Sequence, residues 1–214
     1  MNPASNLKVS DNFQDFWVLG EHGFKNNGYF VDIGAADGFT ASNTFALEKW
    51  YKWQGICVDP NPVFAQTLFN GRDAVCSTLC VHEKTGDILP FKFLADENTF
   101  FGWNFRAGLV QHVGPIAEEV DRFFANINVL TISLMDLLKL YNAPQQIDYL
   151  SIDAEGSEWK ILKSFDFTAY DITCITVEYS DPGERLLIFK LLSDHGYKQV
   201  EQHRSNNEDW YIKK

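Results

Sequence analysis

FVDIGAADGFTASNT, residues 30–44, carries an apolar run into two glycines and then into a cluster of helix-capping side chains. That is the pattern of a strand, a tight turn and a helix. Glycine has no Cβ, so the backbone at Gly34 and Gly38 can turn sharply and let a ligand approach main-chain N–H groups. Ser42 or Asn43 is placed to cap the following helix, whose positive N-terminal end would face the same crevice. The glycine spacing is G-x-x-x-G, not the G-x-G-x-x-G of dinucleotide binders, and the charge of Asp37 would oppose a pyrophosphate. The loop therefore suits a ligand with a positive group and no phosphates, or it is a plain turn. S-adenosylmethionine, with its sulfonium and α-amino group, is such a ligand.

Outward from this loop the same order of elements recurs. A strand over 28–33 leads to a helix over 42–50, and a second strand over 55–59 leads to a helix opened by Pro62 and running to about residue 70. A third strand is expected over 74–81. Two more, over 147–153 and 172–178, each precede a helical pattern, over 157–165 and 183–195. Short runs that are apolar on both faces and alternate with helices indicate a parallel sheet covered on both sides. The segments 197–202 and 209–213 lack a helix between them and should pair as an antiparallel hairpin. The expectation is one α/β domain over 1–214: a doubly wound, Rossmann-like, mostly parallel seven-stranded sheet with a terminal antiparallel hairpin. Ligands of such folds bind outside the carboxyl ends of the strands, and an acid closing the second strand can accept hydrogen bonds from ribose hydroxyls. Asp59 holds that position, so glycine loop and acid together favour a nucleoside cofactor over a solvated loop carboxylate.

The bulk composition sets limits. Across 214 residues, 18 basic and 29 acidic side chains give a net charge of −11, which repels nucleic acid and anionic lipid as general partners. No apolar run is long enough to span a bilayer, and the start MNPASNLKVSDN lacks a signal-peptide core. Four cysteines lie in apolar, strand-like stretches without metal-ligand spacing, as expected of reduced thiols in a cytoplasmic protein.

Two stretches carry a family resemblance. VDIGAADGFTASNTFALEKWYKWQGICVDPNP, residues 31–62, resembles the opening of the FkbM family of S-adenosylmethionine-dependent methyltransferases. IDYLSIDAEGSEWKIL, residues 147–162, is similar to that family's second signature, Asp-x-Glu-Gly-x-Glu after an apolar strand. The resemblance covers about residues 12–179 and departs at Asp59, where the family commonly has Glu. It implies a class I methyltransferase fold and S-adenosylmethionine as cofactor. Asp32, Gly34, Ala35, Asp37 and Gly38 would surround the methionine part, together with the Ser42-Asn43-Thr44 triplet. Asp59 would hold the ribose, and Cys80 and Val81 would lie near the adenine.

Methyl transfer is an in-line displacement at the sulfonium carbon, and a hydroxyl nucleophile must also lose a proton to a base or to a metal. Asp153 and Glu178 close the fourth and fifth strands, with Glu155 two residues further on. These carboxylates suit Mg²⁺ through Asp153 and Glu178, or a general base of raised pKa, while Glu155 alternatively caps the next helix. Residues 96–127 fit no strand of the core and read as a cap over the acceptor site, helical over 116–124. The cap holds Phe100, Phe101, Trp103 and Phe105, with Arg106 and His112 as its polar candidates and His112 as an alternative base. The aromatics otherwise pad the core or a homodimer contact. The resemblance points to O-methylation of a sugar or other small-molecule hydroxyl. Two competing readings are a catalytically silent cofactor-binding module and a nicotinamide-dependent dehydrogenase. Asp153 at the crevice argues against the first, and the incomplete glycine fingerprint argues against the second.

Overall fold

The computed structural model describes residues 10–95, 107–112, 121–201 and 207–214. The chain begins with α1 (Gln14–Glu21) and enters the expected units β1 (Tyr29–Ile33), α2 (Phe45–Tyr51), β2 (Gln54–Val58), α3 (Pro62–Gly71) and β3 (Val75–Ser77). It continues through β4 (Cys80–His82), β5 (Ile88–Leu94), β6 (Gly108–Leu109), β7 (Phe124–Ser133) and α4 (Leu134–Leu140). The last part is β8 (Gln146–Ile152), α5 (Glu158–Lys163), β9 (Asp171–Glu178), α6 (Pro182–Asp194), β10 (Tyr197–Val200) and β11 (Glu208–Lys213).

The main sheet has seven strands in the order β10-β11-β9-β8-β1-β2-β3. The five from β9 to β3 run parallel, and β11 and β10 add antiparallel at one edge. From β1 the chain winds outward through β2 and β3, then returns to β8 on the other side of β1. The carboxyl ends of β1, β2, β8 and β9 thus meet at the reversal of strand order, where such sheets open a crevice. Helices start where local chemistry allows. Asn61 Oδ1 accepts the Val63 amide with Pro62 in the first turn of α3, and Asp181 with Pro182 opens α6 the same way. Aliphatic side chains of β1, β2, β8 and β9 pack with α4, α5 and α6 on one face of the sheet. On the other face Trp17, Trp53 and Trp210 form an aromatic-rich core with Leu47, Leu68 and Tyr149. Trp17 stacks on Trp210 with ring centroids 5.0 Å apart.

Two expectations change. The segment 74–81 is not one strand: β3 pairs with β2, whereas β4 leaves for a separate four-stranded sheet of order β4-β7-β5-β6. Ser77 Oγ accepts the Leu79 amide at 3.3 Å, a local turn that diverts the chain out of the main sheet. The cap region also differs. Residues 96–106 and 113–120 of it, with Arg106 and the four named aromatics, lie outside the described residues. Gly108 and Leu109 pair with β5, and Phe124 begins a ten-residue strand instead of ending a helix. Strands β5 and β7 pair antiparallel over seven residues and flank the expected cap segment, of which residues 107–112 and 121–127 are described.

Candidate functional site

A cavity of about 450 Å³ lies at the strand reversal, within the range of small-molecule sites. One side is the glycine loop after β1, with Asp32, Gly34, Ala35, Ser42 and Asn43 in its wall, and Asp59 after β2. Cys80 and Val81 on β4, Phe91 on β5 and Leu109 on β6 bring in the second sheet. Asp153 and Glu155 after β8 and Glu178 at the end of β9 complete the enclosure. No Lys, Arg or His lines it among the described residues. Of the residues singled out in the sequence, Asp37, Gly38, Thr44 and His112 are absent from the wall.

Gly34 makes the closure of the two sides possible. Its φ of 82° lies in the left-handed region, and a Cβ there would stand 1.7 Å from the Asp153 carbonyl oxygen. Its amide and that of Ala35 both donate to the Val58 carbonyl, at 2.9 and 3.1 Å, which folds the loop over the end of β2. Asp59 then ties the loop down by accepting the Ala36 amide on Oδ2 and the Asn61 amide on Oδ1, each at 2.8 Å. Burial is the main cause that pushes the Asp59 carboxyl up to about 6, against the lowering effect of those amides. The Nδ2 of Asn61, sealed beside Asp59, finds no acceptor among the described residues.

Asp37 closes its own turn, accepting from the amides of Phe39 and Thr40 and from the Thr40 hydroxyl. Of the two candidate caps, Ser42 does the capping: its Oγ accepts the Phe45 amide at 3.1 Å, while Asn43 Nδ2 reaches Ser151 Oγ at 3.0 Å. Thr44 is fully buried and donates to Asp32 Oδ2 at 2.5 Å. Burial raises the pKa of Asp32, opposed chiefly by the positive charge of Arg72.

On the other side, carboxyl oxygens of Asp153, Glu158 and Glu178 lie within 4.8 Å of one another. Asp153 opens onto the cavity yet is enclosed by protein on its other sides. That enclosure, with a hydrogen bond to Glu178 and the nearby charges of Glu178, Glu155 and Glu158, holds its pKa well above the usual carboxylate range. The third acid of the group is Glu158, not Glu155. Glu158 Oε1 accepts the Ala154 amide at 2.8 Å, and its two oxygens share the Gly156 amide at 3.1 and 3.0 Å. It therefore ties down the loop before α5, whose N-terminus has no side-chain cap from Glu155 or any other described residue, and burial pushes its pKa up to about 7. Glu155 turns into the cavity wall on a left-handed backbone with φ of 51°. His112 packs behind this loop, 3.0–3.1 Å from where a Gly156 Cβ would stand, and burial and Lys160 depress its pKa.

Sequence reasoning missed Arg72, Glu48, Asn61 and Ser151. Glu158 stood in the quoted signature and in the first turn of a helix, a position that favours an acid, so a role at the start of that helix was readable there. Nothing local marks Arg72.

Fold and cavity define a doubly wound protein of the class I S-adenosylmethionine-dependent methyltransferase type. The chain belongs to the FkbM methyltransferase family, whose domain model, Methyltransferase FkbM domain, matches residues 32–199. A search of curated proteins finds no match. Among solved structures, it is similar to precorrin-6y C5,15-methyltransferase from Geobacter metallireducens GS-15 at 12% identity and a TM-score of 0.44, covering 92% of this chain and 85% of that one. The ribosomal protein L11 methylase from Lactobacillus delbrueckii subsp. bulgaricus gives 10% identity and a TM-score of 0.46, covering 94% and 78%. Human methyltransferase 10 domain containing protein gives 11% and 0.41, covering 92% and 78%. Among the described residues, no helix is long and apolar enough to cross a membrane.

Proposed function

We propose that the protein is an O-methyltransferase that uses S-adenosylmethionine to methylate a hydroxyl of a sugar or other small-molecule acceptor in the cytoplasm. The observation that carries this reading is one cavity walled by acids of two kinds. Asp32 and Asp59 bound the glycine-loop side, and Asp153 with Glu178 bounds the other. The residues fit the cofactor: the wall carries no cation among the described residues, and Asn61 Nδ2 finds no acceptor among them beside Asp59.

When bound, S-adenosylmethionine would supply an electrophilic methyl on a positive sulfur. Asp32 would receive its ammonium end, Asp59 the ribose hydroxyls, and Cys80 and Val81 would face the base. Asp37 and Gly38 shape the loop and support these contacts from behind. The apolar wall of Phe91 and Leu109 limits water near the transferring group. Asp153 lies beside Glu178, and its pKa is raised well above the usual carboxylate range by burial and by that neighbour, which strengthens it as a base. An acceptor hydroxyl that takes the methyl, with the carbon–sulfur bond broken and S-adenosylhomocysteine left, would lose its proton to this acidic group, which is general-base catalysis.

Glu158 commits both of its carboxyl oxygens to the loop amides of Ala154 and Gly156, so it is no free ligand for a hard cation. Turnover is expected to survive exhaustive chelation unchanged.

The four cysteines are all free, consistent with a reducing compartment. The net charge of −11 supports a small uncharged acceptor over nucleic acid or an anionic membrane. The test is titration calorimetry with S-adenosylmethionine and S-adenosylhomocysteine, followed by labelled-methyl transfer to a panel of glycosides. Binding is expected, weakened at least tenfold in Asp59→Ala. Absence of heat with either ligand overturns the cofactor, and binding without transfer to any hydroxyl overturns the reaction.

A further inference from the structure

Thr44 lines no part of the cavity, yet it joins the one buried cation beneath the glycine loop to an acid in the cavity wall. The Arg72 side chain has no exposure, and it sits 5.4 Å and 5.9 Å from the ring centroids of Phe30 and Phe45. Its Nε donates to Glu48 Oε2 at 2.9 Å and its Nη1 to the Gly38 carbonyl at 3.1 Å and Ser42 Oγ at 3.4 Å. Its Nη2 donates to Thr44 Oγ1 at 2.9 Å. One guanidinium thus grips both ends of residues 38–44. Guanidinium can only donate, so the single proton of the Thr44 hydroxyl is left for Asp32 Oδ2, 2.5 Å away. The direction of the chain is fixed from Arg72 through Thr44 to Asp32, and Asp32 must accept.

We propose that Arg72 and Thr44 are positioning residues of the cofactor site: Arg72 orients the Thr44 hydroxyl, and that hydroxyl holds the Asp32 carboxylate in the cavity wall to receive the cationic amino-acid end of the cofactor. This rests on the cofactor assigned above. A hydroxyl that acts only through Asp32 affects one end of the ligand, whereas a residue that merely keeps the fold together affects all of it.

That difference is the test. Thr44→Val keeps the volume and removes the hydroxyl. Calorimetry would compare S-adenosylhomocysteine, which has the amino-acid end, with 5′-methylthioadenosine, which lacks it. In Thr44→Val the first is expected to bind about tenfold more weakly, the loss of one hydrogen bond to a charged group, while the second stays within twofold of wild type. Thr44→Ser, which keeps the hydroxyl, restores S-adenosylhomocysteine binding to within twofold. Should Thr44→Val not fold, Thr44→Cys, a weak donor of similar size, is expected to give the same selective loss at smaller amplitude. Equal weakening of both ligands, or none of either, overturns the positioning role. Failure of the unaltered protein to bind either ligand overturns instead the cofactor assignment on which it rests.

Discussion

The two sides of the cavity meet the same electrostatic problem with different partners. Beneath the glycine loop, Asp32 and Glu48 are buried with Arg72, and both carboxylates accept hydrogen bonds from it or through Thr44. Glu48 also accepts the Asp73 and Ala74 amides, and with Arg72 and Lys49 these hold its pKa below the usual value against the cost of burial. Across the cavity, Asp153, Glu158 and Glu178 crowd together with no cation in the wall among the described residues, and there burial raises the pKa values of Asp153 and Glu158. Burial penalises charge on both sides. One side sets Arg72 against it, which helps lower the Glu48 pKa and opposes the rise at Asp32, while the other has no such counter-ion in the wall among the described residues. A nearby cation favours the charged form of an acid, and a raised pKa favours an acid that takes up a proton.

The largest expected effect removes the contact between the two sides. Gly34→Ala sets a methyl against the Asp153 carbonyl at 1.7 Å on a left-handed backbone, and neither can yield without moving a strand end. A loss of about 4 kcal/mol in urea unfolding, with cofactor heat lost in calorimetry, is expected. Next comes the contrast between the sides themselves. Arg72→Gln leaves buried carboxylates without their cation and should cost about 3–5 kcal/mol. Asp153→Asn removes an acid whose charged form is already disfavoured and should change stability by less than about 1 kcal/mol, yet lower methyl transfer about a hundredfold or more. Equal stability losses in the two variants would break the comparison.

The smallest effect is on pH. Asp59 at about 6 and Glu158 at about 7 sit above their unfolded values of 3.8 and 4.5. The folded protein therefore binds more protons than the unfolded chain between each pair of values, and stability falls as pH rises through that window. The melting temperature is expected to be a few degrees higher at pH 6 than at pH 8. Glu158→Gln should flatten the upper part of that slope. A melting temperature that instead rises from pH 6 to pH 8 would contradict the raised pKa of Glu158.

Much of the fold was legible because its signals are local. A strand buried on both faces is an apolar run, and α3 and α6 begin with the polar-residue-plus-proline pair that starts a helix. The second sheet was not legible. Strand β7 alternates buried and exposed positions over part of its length, and β5 carries Pro90, so neither resembles the apolar strands of the main sheet. The break of 74–81 into β3 and β4 depends on one serine hydroxyl turning back on an amide, which composition does not reveal.

The sequence by itself determined the order of strands and helices, the glycine loop, the acids at the strand ends and the family, because these depend on neighbours along the chain. Only the tertiary structure decided which acid has its pKa lowered, as Glu48 does, and which has it raised, as Asp153 and Glu158 do. That depends on whether a cation from elsewhere, such as Arg72 reaching Thr44 from 28 residues away, comes within hydrogen-bond distance inside a low-dielectric core.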